Sequence, residues 1–254
     1  MKRIIPFFAS LLVIAFFSSC QKQVDWNDIT TPVAPTPASK IKTYTEDVNI
    51  TGGSRVVTTF NLEYDASNRL VSMTSASNPG DKFLFQYSSN SFTTDIYNSN
   101  SLTIHQVSFL NSFSLVDSTF QYNDTQDTMT EKYLYNSAKQ LVKLKEYDYK
   151  KSTGAVLYNT HDYLYDNIGN QISDKDSFSV TTYEYTNLKY DFALGPDHFY
   201  KAKNLVKTTQ YTSGGSTGTL NHTYTFDSNN RLSTETITGS SNGTSYVVIR
   251  TYTY

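Results

Sequence analysis

Cysteine is nearly absent from this chain: of its 254 residues only Cys20 is one, and it lies ahead of the bulk of the sequence. A disulfide framework is therefore excluded, and the fold must be held by its backbone ladder and core alone. Excess charge of one sign is lacking too. Lys and Arg total 21 against 23 acidic residues, and a net charge of -2 predicts no electrostatic attraction to nucleic acid or to an anionic membrane. Long apolar runs are missing. The longest, Ile4 to Phe17, is broken by Pro6 and Ser10 and is too short to cross a hydrocarbon core of about 30 Å. Catalytic signatures are missing as well: there is no HExxH, GxSxG, P-loop or Cys–His pattern. The histidines are His105, His161, His198 and His222. His161-Asp162 and Asp197-His198 are adjacent pairs, and neighbours on a strand point to opposite faces, so both read as solvated or loop residues. Asp117, Asp124 and Asp127 fit no calcium loop and read as solvated turn acids. The expectation is no catalytic residue, no metal site and no cofactor.

What is present begins at the N-terminus. Lys2 and Arg3, the apolar run, and then Ser18 and Ser19 make residues 1–19 a secretory signal, cleaved before Cys20. Phe17-Ser18-Ser19-Cys20 resembles the lipobox of bacterial lipoproteins. That resemblance implies a lipid on Cys20 and membrane attachment through it. With two or more acyl chains such an anchor is stable, each buried CH₂ contributing about 0.8 kcal/mol. Gln21 stands where an acidic residue would resemble an inner-membrane retention signal. The expected location is therefore the outer membrane, facing the periplasm or the cell surface. Residues 20–40 read as a tether. Thr30 to Pro37 is proline-rich, and polyproline II at about 3.1 Å per residue gives a reach of roughly 60 Å.

Residues 41–254 read as one β domain. Short alternating runs are split by a recurring corner: Tyr64-Asp65 to Leu70, Tyr135-Asn136 to Leu141, Tyr165-Asp166 to Asn170 and Phe226-Asp227 to Leu232, with weaker copies at Phe85 to Asn90 and Phe199 to Leu205. Two aromatics at i and i+2 share a strand face. The Asp or Asn that follows bonds the backbone two residues on, and Asn or Gly at the fourth turn position tolerates positive φ. Other turns alternate with these corners, at 78–81, 151–154, 213–216 and 239–243. The pattern predicts an all-β, antiparallel up-and-down meander of roughly fourteen to sixteen strands, as a closed barrel or a rolled open sheet. The aromatic corners fall at one end and the variable glycine turns at the other. Residues 188–203 are the least regular and read as a loop.

The Tyr-Asp-x-x-Asn/Gly-Arg-Leu corners resemble the YD repeats of RHS-type proteins. With signal, lipobox and tether, the whole chain resembles the uncharacterised lipoproteins of Bacteroidetes with a porin-like β fold. That resemblance implies the fold over 41–254 and brings no activity with it.

Aromatic-x-aromatic pairs extend beyond the corners, at Phe83/Phe85/Tyr87, Phe120/Tyr122, Tyr147/Tyr149, Tyr183/Tyr185 and Tyr252/Tyr254, with mostly polar residues between. One face is expected to be aromatic and, on closure, to point inward. The functional expectation is a non-enzymatic structural or binding role, with a glycan, peptide or envelope protein as partner. Tyr158, Tyr190, Phe192, Phe199 and Tyr200, the aromatics least tied to the repeat, are the candidate ligand-binding residues. Two alternatives stay open. One is an envelope hydrolase with a cross-strand carboxylate pair drawn from residues such as Asp174, Asp176 and Glu184. The other is an integral outer-membrane barrel, which would need an outward apolar band about 25 Å tall. Asp117-Ser118-Thr119 and Asp127-Thr128-Met129 also resemble O-glycosylation acceptors of Bacteroidetes.

Overall fold

The computed structural model describes residues 40–123, 128–150, 154–189, 203–241 and 244–254. The signal segment, Cys20 and the tether, together with Tyr190, Phe192, Phe199 and Tyr200, lie outside the described residues. Sixteen strands follow one another: β1 (Thr43–Ile50), β2 (Val56–Tyr64), β3 (Leu70–Ser75), β4 (Lys82–Tyr87), β5 (Ser91–Asn98), β6 (Ser101–Leu110), β7 (Val116–Asn123) and β8 (Thr128–Tyr135). They continue as β9 (Leu141–Lys150), β10 (Gly154–Tyr165), β11 (Gln171–Lys175), β12 (Ser179–Lys189), β13 (Asn204–Ser213), β14 (Ser216–Phe226), β15 (Leu232–Ser241) and β16 (Thr244–Thr253). Each pairs antiparallel with its sequence neighbours, and β1 pairs with β16, so the meander closes into a barrel. Of the two expected forms, the closed one is adopted.

The corners are built as their residues require. In the turn after β2, Asp65 Oδ1 accepts from the backbone N–H of Ser67 (2.9 Å) and Arg69 (2.8 Å), and Asn68 takes φ 69°. Asp166 and Asp227 repeat this pattern, with Gly169 and Asn230 at positive φ. These hydrogen bonds, first those from the Arg69 backbone, hold the Asp65 carboxyl below its usual range. A further corner, Asn111 to Leu115, has the same bonds and Ser114 at φ 60°. It escaped the sequence pattern because Leu110 stands where the others carry an aromatic.

A second feature recurs at this end. Six tyrosine hydroxyls donate to the backbone carbonyl where the preceding strand begins: Tyr87 to Leu70, Tyr135 to Val116, Tyr165 to Leu141, Tyr185 to Gln171, Tyr224 to Val206 and Tyr254 to Leu232. The buried apolar side chains gather near the same end, among them Ile41, Tyr44, Leu62, Leu70, Phe92, Val116, Leu205, Leu232 and Tyr252. A side chain lining an open water channel would be accessible, whereas Val116 is 0% and Tyr44 1% exposed. The barrel interior is thus filled at its corner end.

At the other end the described turns range from the two residues between β13 and β14 to the six between β3 and β4. Gly214 and Gly215, at φ 56° and 82°, connect β13 to β14 with the mirror-image turn that hairpins favour. The turn expected at 239–243 is displaced. β15 runs on to Ser241, and Gly239 sits within it because the Leu220 and Tyr246 side chains lie where a Cβ would be.

Alternation gives the wall two faces. Inward residues of β14–β16 and β1 form the closing seam. Arg250 donates to Glu46 (3.0 Å) and Glu235 (3.2 Å), His222 pairs with Glu235 (2.9 Å), and the Tyr44 hydroxyl donates to Glu46 (2.6 Å). Burial alone would raise the Glu235 carboxyl, but the bonds from His222 and the Arg250 charge outweigh it and hold it low. Outward positions of β13–β16, β1 and β2 are largely threonine, with Thr45 and Thr59 hydroxyls bonded across the strands at 2.9 Å. The expectation of an inward aromatic face holds for Phe83/Phe85/Tyr87, Tyr183/Tyr185 and Tyr252. Phe120/Tyr122 and Tyr147/Tyr149 instead point outward, opposite Val107, His105, Thr130 and Leu157. In β7 and β9 a bulge just after the corner, beside Val116 and Leu141, shifts the parity of the residues that follow.

Two outcomes are expected. Tyr135→Phe strands the Val116 carbonyl and lowers unfolding free energy by about 1 kcal/mol in chemical denaturation. Arg250→Met leaves Glu46 and Glu235 facing each other without their cation and lowers it by roughly 3–5 kcal/mol.

Candidate functional site

The inward face of β8–β12 carries a second charged cluster, nearer the glycine-turn end. A β-bulge in β10 bounds it. Leu157 opposes Tyr147 while Asn159 opposes Glu146, so Tyr158 is an extra residue turned out of the ladder. After the bulge, Asn159, His161, Tyr163 and Tyr165 all face inward. His161 Nδ1 lies 3.0 Å from Asp174 Oδ1, and Nε2 lies 3.6 Å from Glu146 and 4.0 Å from Asp176. Its ring stacks on Tyr163. Glu131 stands directly across from Glu146 and accepts the Tyr133 hydroxyl at 2.5 Å.

Three carboxylates therefore surround one imidazole, with Glu131 beyond Glu146. Burial alone would lower the His161 pKa, but the hydrogen bonds with Asp174 and Glu146 override it and push it up to about 10. That shift favours the imidazolium form at neutral pH. Burial, with the Glu146 charge adding to it, raises Glu131 despite the Tyr133 bond. No group of three or more ligating side chains among the described residues has the disposition of a metal site.

The rim above this cluster is aromatic. Tyr158 and Phe178 are 59% and 61% exposed, with ring centroids 6.2 Å apart. Both are held from below. Asp176 accepts the backbone N–H of Phe178 and Ser179, each at 2.6 Å, fixing the β11–β12 turn that presents Phe178. Asn159 Oδ1 accepts from Thr160 (2.9 Å) and Ser177 (3.3 Å), tying the bulge to that turn, while its amide lies 3.2 Å from His161 Nε2. An exposed aromatic pair on fixed backbone, beside inward polar groups, can stack a ring and bond its substituents.

The sequence-level candidates separate. Tyr158 belongs to this rim. The loop holding Tyr190, Phe192, Phe199 and Tyr200 joins β12 to β13, whose described ends lie at the corner end. His161 is not the solvated residue expected from the His161-Asp162 pair, because it shares the inward face of the corner aromatics Tyr163 and Tyr165. Asp174 and Asp176 do converge, on His161. Glu184 does not join them: it faces outward toward Lys207. Phe178, Asn159, Glu131 and Glu146 were missed. A signal for the acids existed, since Glu131-Lys132, Lys145-Glu146 and Asp174-Lys175 each set acid and lysine on opposite faces. Ser118 and Thr119 are 4% and 1% exposed, which leaves that acceptor motif occluded in the folded barrel.

No family model matches the chain, and no curated protein matches it. Solved structures do. A porin-like protein from Bacteroides uniformis ATCC 8492 superposes with a TM-score of 0.62 at 15% identity, over 85% of this chain and 98% of that one. A porin-like protein from Bacteroides vulgatus ATCC 8482 superposes with a TM-score of 0.58 at 13% identity, over 84% and 98%. The fold of this chain is therefore porin-like.

The raised His161 pKa has a consequence for stability. An unfolded histidine titrates near 6.5, so the stabilisation from this proton is fully present below about pH 6.5 and lost as pH rises through about 10. The thermal midpoint of the wild type is expected to fall across that window relative to His161→Gln. Parallel curves for the two proteins would show that the imidazole is neutral.

Proposed function

We propose that the chain is a non-enzymatic lipoprotein of the outer membrane, anchored through Cys20, whose barrel stands in water and captures a glycan at the glycine-turn end. The observation that carries the reading is the exposed Tyr158–Phe178 pair, pinned by Asn159 and Asp176 above the His161 cluster. Sugar rings match such a rim because they combine an apolar face with many hydroxyls.

The wall supports a barrel in water over one embedded in lipid. Outward positions within the strands include Asp95 paired with His105, Lys132, Lys145 and Asp162, and much of the rest is threonine. A lysine on a lipid face costs about 2–4 kcal/mol at the bilayer midplane. The filled corner end also argues against a through-channel.

A hydrolase has one observation in its favour: Glu131 and Glu146 oppose each other, and burial raises the first. Retaining glycosidases use such unequal pairs. Glu131, however, is already engaged by Tyr133, and Glu146 lies against the His161 cation.

The test uses residues 40–254, which contain the whole closed ladder, in detergent-free buffer on arrays of glycans and peptidoglycan fragments. Specific binding is expected, weakened on the order of tenfold by Tyr158→Ala or Phe178→Ala. No binding by folded protein sinks the capture role, and a requirement for detergent sinks the barrel in water. Sugar release abolished by Glu131→Gln and Glu146→Gln would transfer the assignment to the hydrolase.

A further inference from the structure

The outer face of β8–β12 differs from the threonine face around the rest of the seam. Lys132 and Lys145 stand directly opposite each other across β8 and β9. Lys143 lies two residues from Lys145 on the same face, and Lys175 projects outward from β11 opposite Asp162. On β8–β12 these four lysines face two outward acids, Asp162, which pairs with Lys143, and Glu184, which lies near Lys207 of β13. Lys132 reaches Asp117 of β7 at 3.5 Å, and among the described residues Lys145 and Lys175 hold no ion pair.

Like charges directly opposite each other destabilise a sheet. Lys132 and Lys145 do so on a face where threonine pairs are the rule elsewhere. The same strands leave Leu134, Leu157, Leu164, Val180 and Tyr149 exposed among the lysines, Leu164 at 61%. The acids of this part of the wall (Glu131, Glu146, Asp174) point inward, so the outer surface is locally cationic although the chain is acidic overall.

We infer that this outer face docks on an anionic phospholipid surface. The lysine stems lie along the leucines while their ammonium groups reach headgroup phosphates, and the leucines and Tyr149 meet the headgroup–acyl boundary. A soluble polyanion would use the lysines and leave the leucines idle. The inference is independent of what binds at the rim, because it uses the opposite side of the wall.

The test is co-sedimentation of residues 40–254 with vesicles of phosphatidylcholine, with and without 30% phosphatidylglycerol. Binding is expected to the anionic vesicles only and to fall with added salt. Lys145→Thr should weaken it about fivefold, the weight of one basic residue at such a surface. Leu134→Ser with Leu164→Ser should weaken it too, and Thr236→Glu on the threonine face should leave it unchanged. A second readout separates docking from fold maintenance. Lys145→Thr relieves the like-charge contact, so its thermal midpoint should rise by about 1–2 °C while its vesicle binding falls. Equal binding to neutral vesicles, or none to either, overturns the inference. So does lysine-dependent binding of dextran sulfate without vesicle binding, or indifference to the leucine changes.

Discussion

The bond on which this barrel most depends is the one from a corner tyrosine hydroxyl to the carbonyl opening the neighbouring strand, repeated six times around one end. A β-ladder without disulfides can slip by one residue, and a slip sends every inward side chain outward. The hydroxyl removes that freedom, because it meets its carbonyl only in one register. Its reach is set by bulges at the corner ends, between Glu63 and Tyr64, Leu134 and Tyr135, Leu164 and Tyr165, and Thr225 and Phe226. Aspartate turn, bulge and tyrosine bond are thus one unit. The closing seam obeys the same logic, with Tyr254 bonding Leu232 just beyond the Glu235–Arg250 pairing on the same two strands.

Fixing one end leaves the other free. Since the corners determine parity and fill the interior, the glycine-turn end can tolerate a bulge at Tyr158, a glycine under Tyr246 and exposed rings at Phe178 without loss of closure. That division of labour makes the glycine-turn end the place for a ligand. Chemistry there costs stability: three carboxylates about one imidazole are held by a proton that a free histidine would lose near neutrality.

The corners were legible in the sequence because each combines an aromatic pair, an Asx turn and a restarting leucine at short range. Strand number, the antiparallel meander and the two unlike ends follow from counting them. What was not legible depends on odd residues between corners. One extra residue at Tyr158 turns Leu157 outward although it has the parity of Asn159 and His161, and no local signal distinguishes a bulged Tyr158 from a paired one. The outward turn of Tyr147 and Tyr149 has the same origin, since strand parity is inherited from the nearest corner and corrupted by every bulge on the way. Asn111 shows the converse. Its turn chemistry is intact, but without the aromatic the pattern was invisible.

The two like-charge pairs lie back to back on the same two strands, Glu131 against Glu146 inside and Lys132 against Lys145 outside. Neither pair is favourable within its own face, yet each sits only a backbone's thickness from the opposite charge of the other. Period-two alternation turns alternating acid and lysine into a wall polarised from inside to outside, and the attraction across it offsets part of the repulsion along it. A change on one face therefore alters the other. The lumen cluster and the outer cationic face are in this sense one electrostatic object, divided by a single layer of strand.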